Sequence, residues 1–254
     1  FVNKLKNMAK RNCNPKHDFH FYCYTDDAEG LDDDVKVIPF PDIPNIHPKY
    51  WFQKDDFKYG MARCWDRPKT MVFNTHNFAE DKPTGRFIFF DLDVIIQSDI
   101  SDIYELALKP RIIHSRWQNP KHKHDRKFID IRGTFFNSSV MCWNRDQCEH
   151  IFWEALQEDQ MIFKTFWKGT DNYHYWRQRE FWHNMPFEWI YSYNRGMQFP
   201  EDLETHKYRE ECKFCLFNVD VLKSNNKQIK IDELEDETLL RLWHGNDYSK
   251  SARQ

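Results

Sequence analysis

The chain has 254 residues and a mass of 31.2 kDa, with 37 basic and 40 acidic side chains and a formal net charge of −3. That length suits one large domain, and 40% hydrophobic with 17% aromatic content supplies a core and excludes global disorder. The absence of a basic surplus argues against a dedicated nucleic-acid binder. No apolar run approaches the roughly 20 residues of a membrane span.

The chain opens on "FVNKLKNMAKRN", where Val2, Leu5, Met8 and Ala9 recur at helical spacing. A doubly wound α/β domain normally starts with a strand, so a first strand is expected upstream of this helix. The opening residues read as neither a signal peptide nor a transit sequence. "FHFYCYTDD" and "VKVIPFP" follow as short strands, the second closed by Pro39 and Pro41. "WFQKDDFKYGMARCW" and "PKTMVFNTHNF" are mostly helical or mixed. "RFIFFDLDVII" is a continuous apolar run expected to form one buried parallel strand.

"SDISDIYEL" predicts a short helix with Ser98 and Asp99 as cap candidates, and "RIIHSRW" a strand. Residues 121–127, "KHKHDRK", form a basic cluster that reads as a solvated loop, with steering of an anionic acceptor as the second reading. "IRGTFFNSSVMCWNRD" predicts a strand and "DQCEHIFWEALQED" an amphipathic helix. A helix is expected around "DNYHYWRQREFW", and strands at "EWIYSY" and "CKFCLFNVD". Alternating strands and helices predict a single α/β domain over residues 1–254. Trp176, Trp182 and Trp189 are expected mainly in the core, with an acceptor platform as the alternative.

The seven cysteines, at 13, 23, 64, 142, 148, 212 and 215, are odd in number and scattered. That fits reduced thiols and a cytoplasmic location better than a disulfide scaffold. Cys212 and Cys215 form a C-x-x-C with no second pair at zinc spacing, which argues against zinc.

Chemistry concentrates at "FFDLDVII". Residues two apart on a strand point the same way, so Asp91 and Asp93 are expected to share a ligand at the carboxyl end of a sheet strand. Hard carboxylate oxygens suit Mg²⁺ or Mn²⁺, which in turn clamp phosphate oxygens. The bland alternative has one aspartate capping a turn and the other solvated. Near the far end, "WHGNDYSK" offers His244 as a nitrogen ligand and Lys250 as a phosphate contact. Arg63, Arg67 and Lys69 precede the D-L-D segment, and at least two of them are expected to be exposed helix charges.

The D-L-D after an apolar strand, "FFNSSVM" at residues 135–141, and a late histidine with lysine six positions on resemble the glycogenin and bacterial galactosyltransferase group. The resemblance implies a GT-A fold, a Rossmann-like mixed sheet flanked by helices. It implies a metal-dependent enzyme moving a sugar from a nucleoside diphosphate sugar to a glycan or other hydroxyl acceptor, with retention. Carried over residue by residue, it implies Asp91, Asp93 and His244 as Mn²⁺ (or Mg²⁺) ligands and Lys250 on the diphosphate. Asn137 then faces the donor sugar, and Asp171 in "GTDNYHYW" stands loosely for an acidic pair that positions sugar or acceptor. Ser139 stands where the group has glycine, Gly245 follows His244 directly, and Ser251-Ala252 replaces a Pro-Trp.

Two other classes compete. "FFDLDVI" also fits the haloacid-dehalogenase pattern of phosphatases, but a downstream G-D-x-x-x-D is absent from the sequence. A sugar-nucleotide or glycan-binding module that keeps the metal site without turnover is the third reading.

Overall fold

A computed structural model describes residues 1–39, 64–74, 85–115, 134–158, 162, 165–166, 169–197, 204–218, 229–245 and 248. Helix α1 (Val2–Arg11) forms as its periodicity dictates, burying Leu5, Met8 and Ala9 on one side. Lys6 is buried too, and donates to Asp32 at 2.7 Å and to Asp34. This charge pairing fastens α1 to the segment entering the second strand, because a buried ammonium needs partners.

Strands β1 (Phe21–Tyr24) and β2 (Val35–Ile38) pair in parallel in a sheet of their own. The apolar run expected as one buried strand is two. β3 (Arg86–Phe90) and β4 (Val94–Ile96) belong to different sheets and are separated by Asp91-Leu92-Asp93. β3 is also not parallel to its neighbour: it runs antiparallel to β6 (Phe136–Asn144). The two charges explain the break, since ionised carboxylates cannot continue into an interior that β4 occupies fully buried.

Helix α2 (Ile103–Leu106) and β5 (Arg111–His114) come next, followed by β6, which is buried over all but its last residue. α3 (Glu149–Gln157) matches the predicted amphipathic helix, and α4 (Thr170–Arg177) falls where a further helix was expected. β7 (His183–Asn184), β8 (Ile190–Ser192), β9 (Gly196–Met197) and β10 (Phe214–Leu216) lead to the last helix, α5 (Glu237–His244). Asp236 caps α5 by accepting from the Leu239 amide at 3.0 Å. One mixed sheet has the order β3-β6-β5-β7 and another β4-β10-β8-β9. The chain is therefore mixed α/β, with mixed sheets flanked by helices.

Two cores follow. One gathers α1, β4, β8, β10 and α5. The other packs α3, α4 and the 3-10 segment Cys64–Phe73 against β3, β5 and β6. Trp143 anchors the second, with its ring 5.0 Å from Phe73 and stacked 5.5 Å from Phe87. Trp143→Ala is expected to cost about 3–5 kcal/mol in urea denaturation, from lost transfer energy plus an unfilled void.

Trp182 is buried, while Trp176 and Trp189 pack partly buried on the two cores, as core packing predicts. Cys212 and Cys215 are both buried free thiols. Among the described residues no helix is long and apolar enough to cross a membrane. The basic stretch 121–127 lies outside the described residues.

Candidate functional site

The D-L-D segment occupies the turn between β3 and β4 rather than a strand, so the shared direction expected from strand alternation does not apply. The turn is fixed from behind instead. The Asp91 amide donates to the Ser139 carbonyl at 2.8 Å, carrying the β3–β6 pairing one residue past β3. Leu92, at the tip, is 49% exposed, while Asp91 and Asp93 on either side of it are half-buried.

Lys69, from the 3-10 segment, reaches this turn. Its Nζ donates to Asp91 Oδ2 at 2.7 Å and to Ser138 Oγ at 3.3 Å, and lies 5.8 Å from the Phe89 ring centre. The Ser138 hydroxyl, fully buried on β6, donates to Asp171 Oδ1 at 2.6 Å, and the Ser138 amide donates to the same oxygen at 2.7 Å. Gly169 initiates α4 with φ +95°, a turn open to a residue without Cβ. That turn puts Asp171 in the first turn of α4, against β6. A continuous chain therefore runs Asp91–Lys69–Ser138–Asp171, joining the D-L-D turn to α4.

Asp93 lies at the costly end of this network: burial and the Asp91 charge push its carboxyl up to about 6, against the opposing pull of Lys69.

Asn137 is buried on β6 and turns back on its own strand, its Oδ1 accepting from the Ser139 amide at 3.1 Å. His244 ends α5, is exposed and stacks on Tyr248 with ring centres 4.6 Å apart. Among the described residues, no group of three or more His, Cys, Asp and Glu side chains is arranged to hold a metal ion. The structure thus links Asp91 to Asp171 through Lys69 and Ser138 and sets Asp93 close enough to Asp91 to feel its charge, but among the described residues it groups no third such side chain with the aspartate pair as a metal site. Lys250 and Arg63 lie outside the described residues.

The donor set still fits one hard divalent cation. Mg²⁺-type sites commonly use one or two carboxylates and take the rest of their ligands from phosphate and water. Two neighbouring carboxylates, one of them resisting ionisation because it is partly buried beside the other's charge, are such a pair. A cavity of about 920 Å³ opens beside Asp91, lined at this end by Tyr24, Lys69, Asp91 and Leu92 and running on between β1 and β3.

Two residues of this network escape sequence reading. Ser138 sits inside "FFNSSVM", where attention falls on Asn137 and Ser139. The available signal is three consecutive polar residues in an otherwise apolar strand. Lys69 looks like one of three exposed helix charges, and only the fold points it at Asp91. No known family model and no curated protein sequence matches the chain.

Proposed function

We propose that the chain is a metal-dependent glycosyltransferase of GT-A type, transferring a sugar from a nucleoside diphosphate sugar to an acceptor hydroxyl. The observation that carries this reading is the D-L-D turn, tied through Lys69 and Ser138 to Asp171 and opening on one end of a cavity. A partly buried Asp93 beside Asp91 favours a divalent cation, and a cation held there favours a diphosphate.

In this reading Asp91 and Asp93 hold Mn²⁺ or Mg²⁺, which neutralises charge on the departing nucleoside diphosphate. His244 as a further metal ligand and Lys250 on the diphosphate are the remaining assignments of this reading. Lys69 keeps Asp91 oriented towards the cavity. Ser138 and the α4 turn hold Asp171 in place, from where it positions sugar or acceptor. Asn137 contributes the strand wall on which the donor sugar rests.

Titration calorimetry with UDP, GDP and other nucleoside diphosphates tests the reading. At least one is expected to bind at least about tenfold more tightly with Mn²⁺ than without it. The matching nucleotide sugar should then release free sugar slowly in the absence of acceptor. If no nucleoside diphosphate shows metal dependence while a simple phosphate monoester is hydrolysed, the phosphatase reading replaces this one. Metal-dependent nucleotide binding with no turnover of any donor would instead identify a binding module.

A further inference from the structure

β1 and β3 are an anomaly of this fold. Their sequences, "FYCY" and "RFIFF", are among the most apolar in the chain, yet neither strand contains a single fully buried residue. By contrast β4, β8 and β10 are buried throughout. Ile88, in the middle of β3, is 36% exposed.

The cause is where the two strands sit. Among the described residues, β1 and β3 each stand at the end of their strand order, in two different sheets. Both face the same cavity of about 920 Å³, which is lined by every residue of β1 and every residue of β3. A face-on pocket would be lined by alternate residues of a strand, because side chains alternate between the two sides of a sheet. Lining by consecutive residues of both means that the cavity lies between their edges. Exposed apolar strand edges are surfaces that proteins pair or cover.

Helix α1 forms a further wall of this cavity, through Val2, Leu5 and Ala9, and Cys13 continues it just past the helix. α1 runs directly into β1 through residues 12–20. A helix that lies over a gap beside the strand it precedes has the layout of the second half of a strand–helix–strand crossover. Such crossovers join parallel neighbouring strands and are right-handed in nearly every case.

We propose that this cleft is a slot for one β strand, inserted between β1 and β3 parallel to β1 and supplied by residues that precede Phe1 in the natural chain. The inserted strand unites the β1–β2 pair with the β3-β6-β5-β7 sheet into one continuous sheet of seven strands in the order β2-β1-insert-β3-β6-β5-β7. Apolar side chains suit its α1 face, opposite Leu5 and Ala9. Five residues match the length of β3, spanning about 17 Å at the usual strand rise. The strand lies along β1 and β3 and takes up that part of the cavity, leaving to the proposed donor the end lined by Lys69, Asp91 and Leu92.

Amide hydrogen exchange, compared between the 254-residue chain and the natural product extended upstream of Phe1, tests this. Amides of Phe21–Tyr24 and Arg86–Phe90 should exchange at least about tenfold more slowly in the longer chain, with β8 and β10 unchanged. A second readout is Ile88→Lys, which should raise the unfolding equilibrium constant at least about tenfold more in the longer chain than in the shorter one. Equal exchange in the two chains would overturn the proposal, as would a natural product with nothing but an initiator Met before Phe1. Protection in the shorter chain that grows with its concentration would also overturn it, pointing to a strand from a second copy.

Discussion

Asp93→Asn is expected to make the metal-free protein more stable at pH 8 while abolishing its metal-dependent nucleotide binding. An aspartate normally titrates near 3.8, but burial and the Asp91 charge raise Asp93 to about 6. Between those values the folded protein holds a proton that the unfolded chain has released. Stability contributed by this group is therefore present below pH 4, falls as pH rises to about 6, and stays lost above it. The ionised carboxylate costs on the order of 3 kcal/mol at pH 8, given about 1.4 kcal/mol for each unit of displacement. Asparagine removes that cost, so urea midpoints should rise at pH 8 and match the wild type near pH 4. Mn²⁺ should stabilise the wild type and leave Asp93→Asn unmoved, since only a ligand of the folded state shifts the equilibrium. A variant less stable than wild type at pH 8 would show that the carboxylate is already compensated, and would remove the charge argument for a cation.

Lys69→Met should act in the opposite direction. Methionine keeps an apolar stem against Phe89 but deletes the donor shared by Asp91 and Ser138. Both members of the Lys69–Asp91 pair keep about a fifth of their side-chain surface in water, 19% and 21%. The cost is therefore set between the values for exposed and buried pairs, at about 1–2 kcal/mol. Removing the ammonium also leaves Asp91 and Asp93 facing each other unrelieved, so Mn²⁺ should restore most of the lost stability. Sugar transfer should nevertheless drop about 100-fold, because the cation replaces the charge of Lys69 but not its tie to Ser138 and Asp171. Thermal melting with and without Mn²⁺, together with product formation, checks both halves. Wild-type melting behaviour without metal would show that the Lys69 contacts do not hold the turn.

These two residues also mark how far the sequence could be read. Asp93 was legible because its signal is local: two carboxylates one residue apart at the end of an apolar run need a counter-charge wherever the chain goes. Lys69 was not, because an isolated lysine in a mixed segment carries no sign of the side chain it will meet 22 residues later. Asp171 falls between, visible as an acidic residue opening a helix but given its partner only by the packing of α4 on β6.

The same division runs through the fold. Helices α1, α3 and α4 follow from apolar spacing and end signals, which depend on neighbours three and four residues away, whereas α5 was not read from the charged stretch that holds it. The alternation of strands and helices was enough to give the α/β class. The sequence could not tell that "RFIFFDLDVII" breaks into strands of two sheets, since an unbroken apolar run reads as one strand until something fixes its partners. Pairing is a long-range choice, decided here by β6 on one side of the turn and β10 on the other. Thus the sequence by itself determined that two carboxylates would sit at the rim of an apolar core. Only the tertiary structure decided that they occupy a turn, that Lys69 and Ser138 link them to Asp171, and that an open cleft lies between β1 and β3, because each of these depends on contacts between residues far apart in the chain.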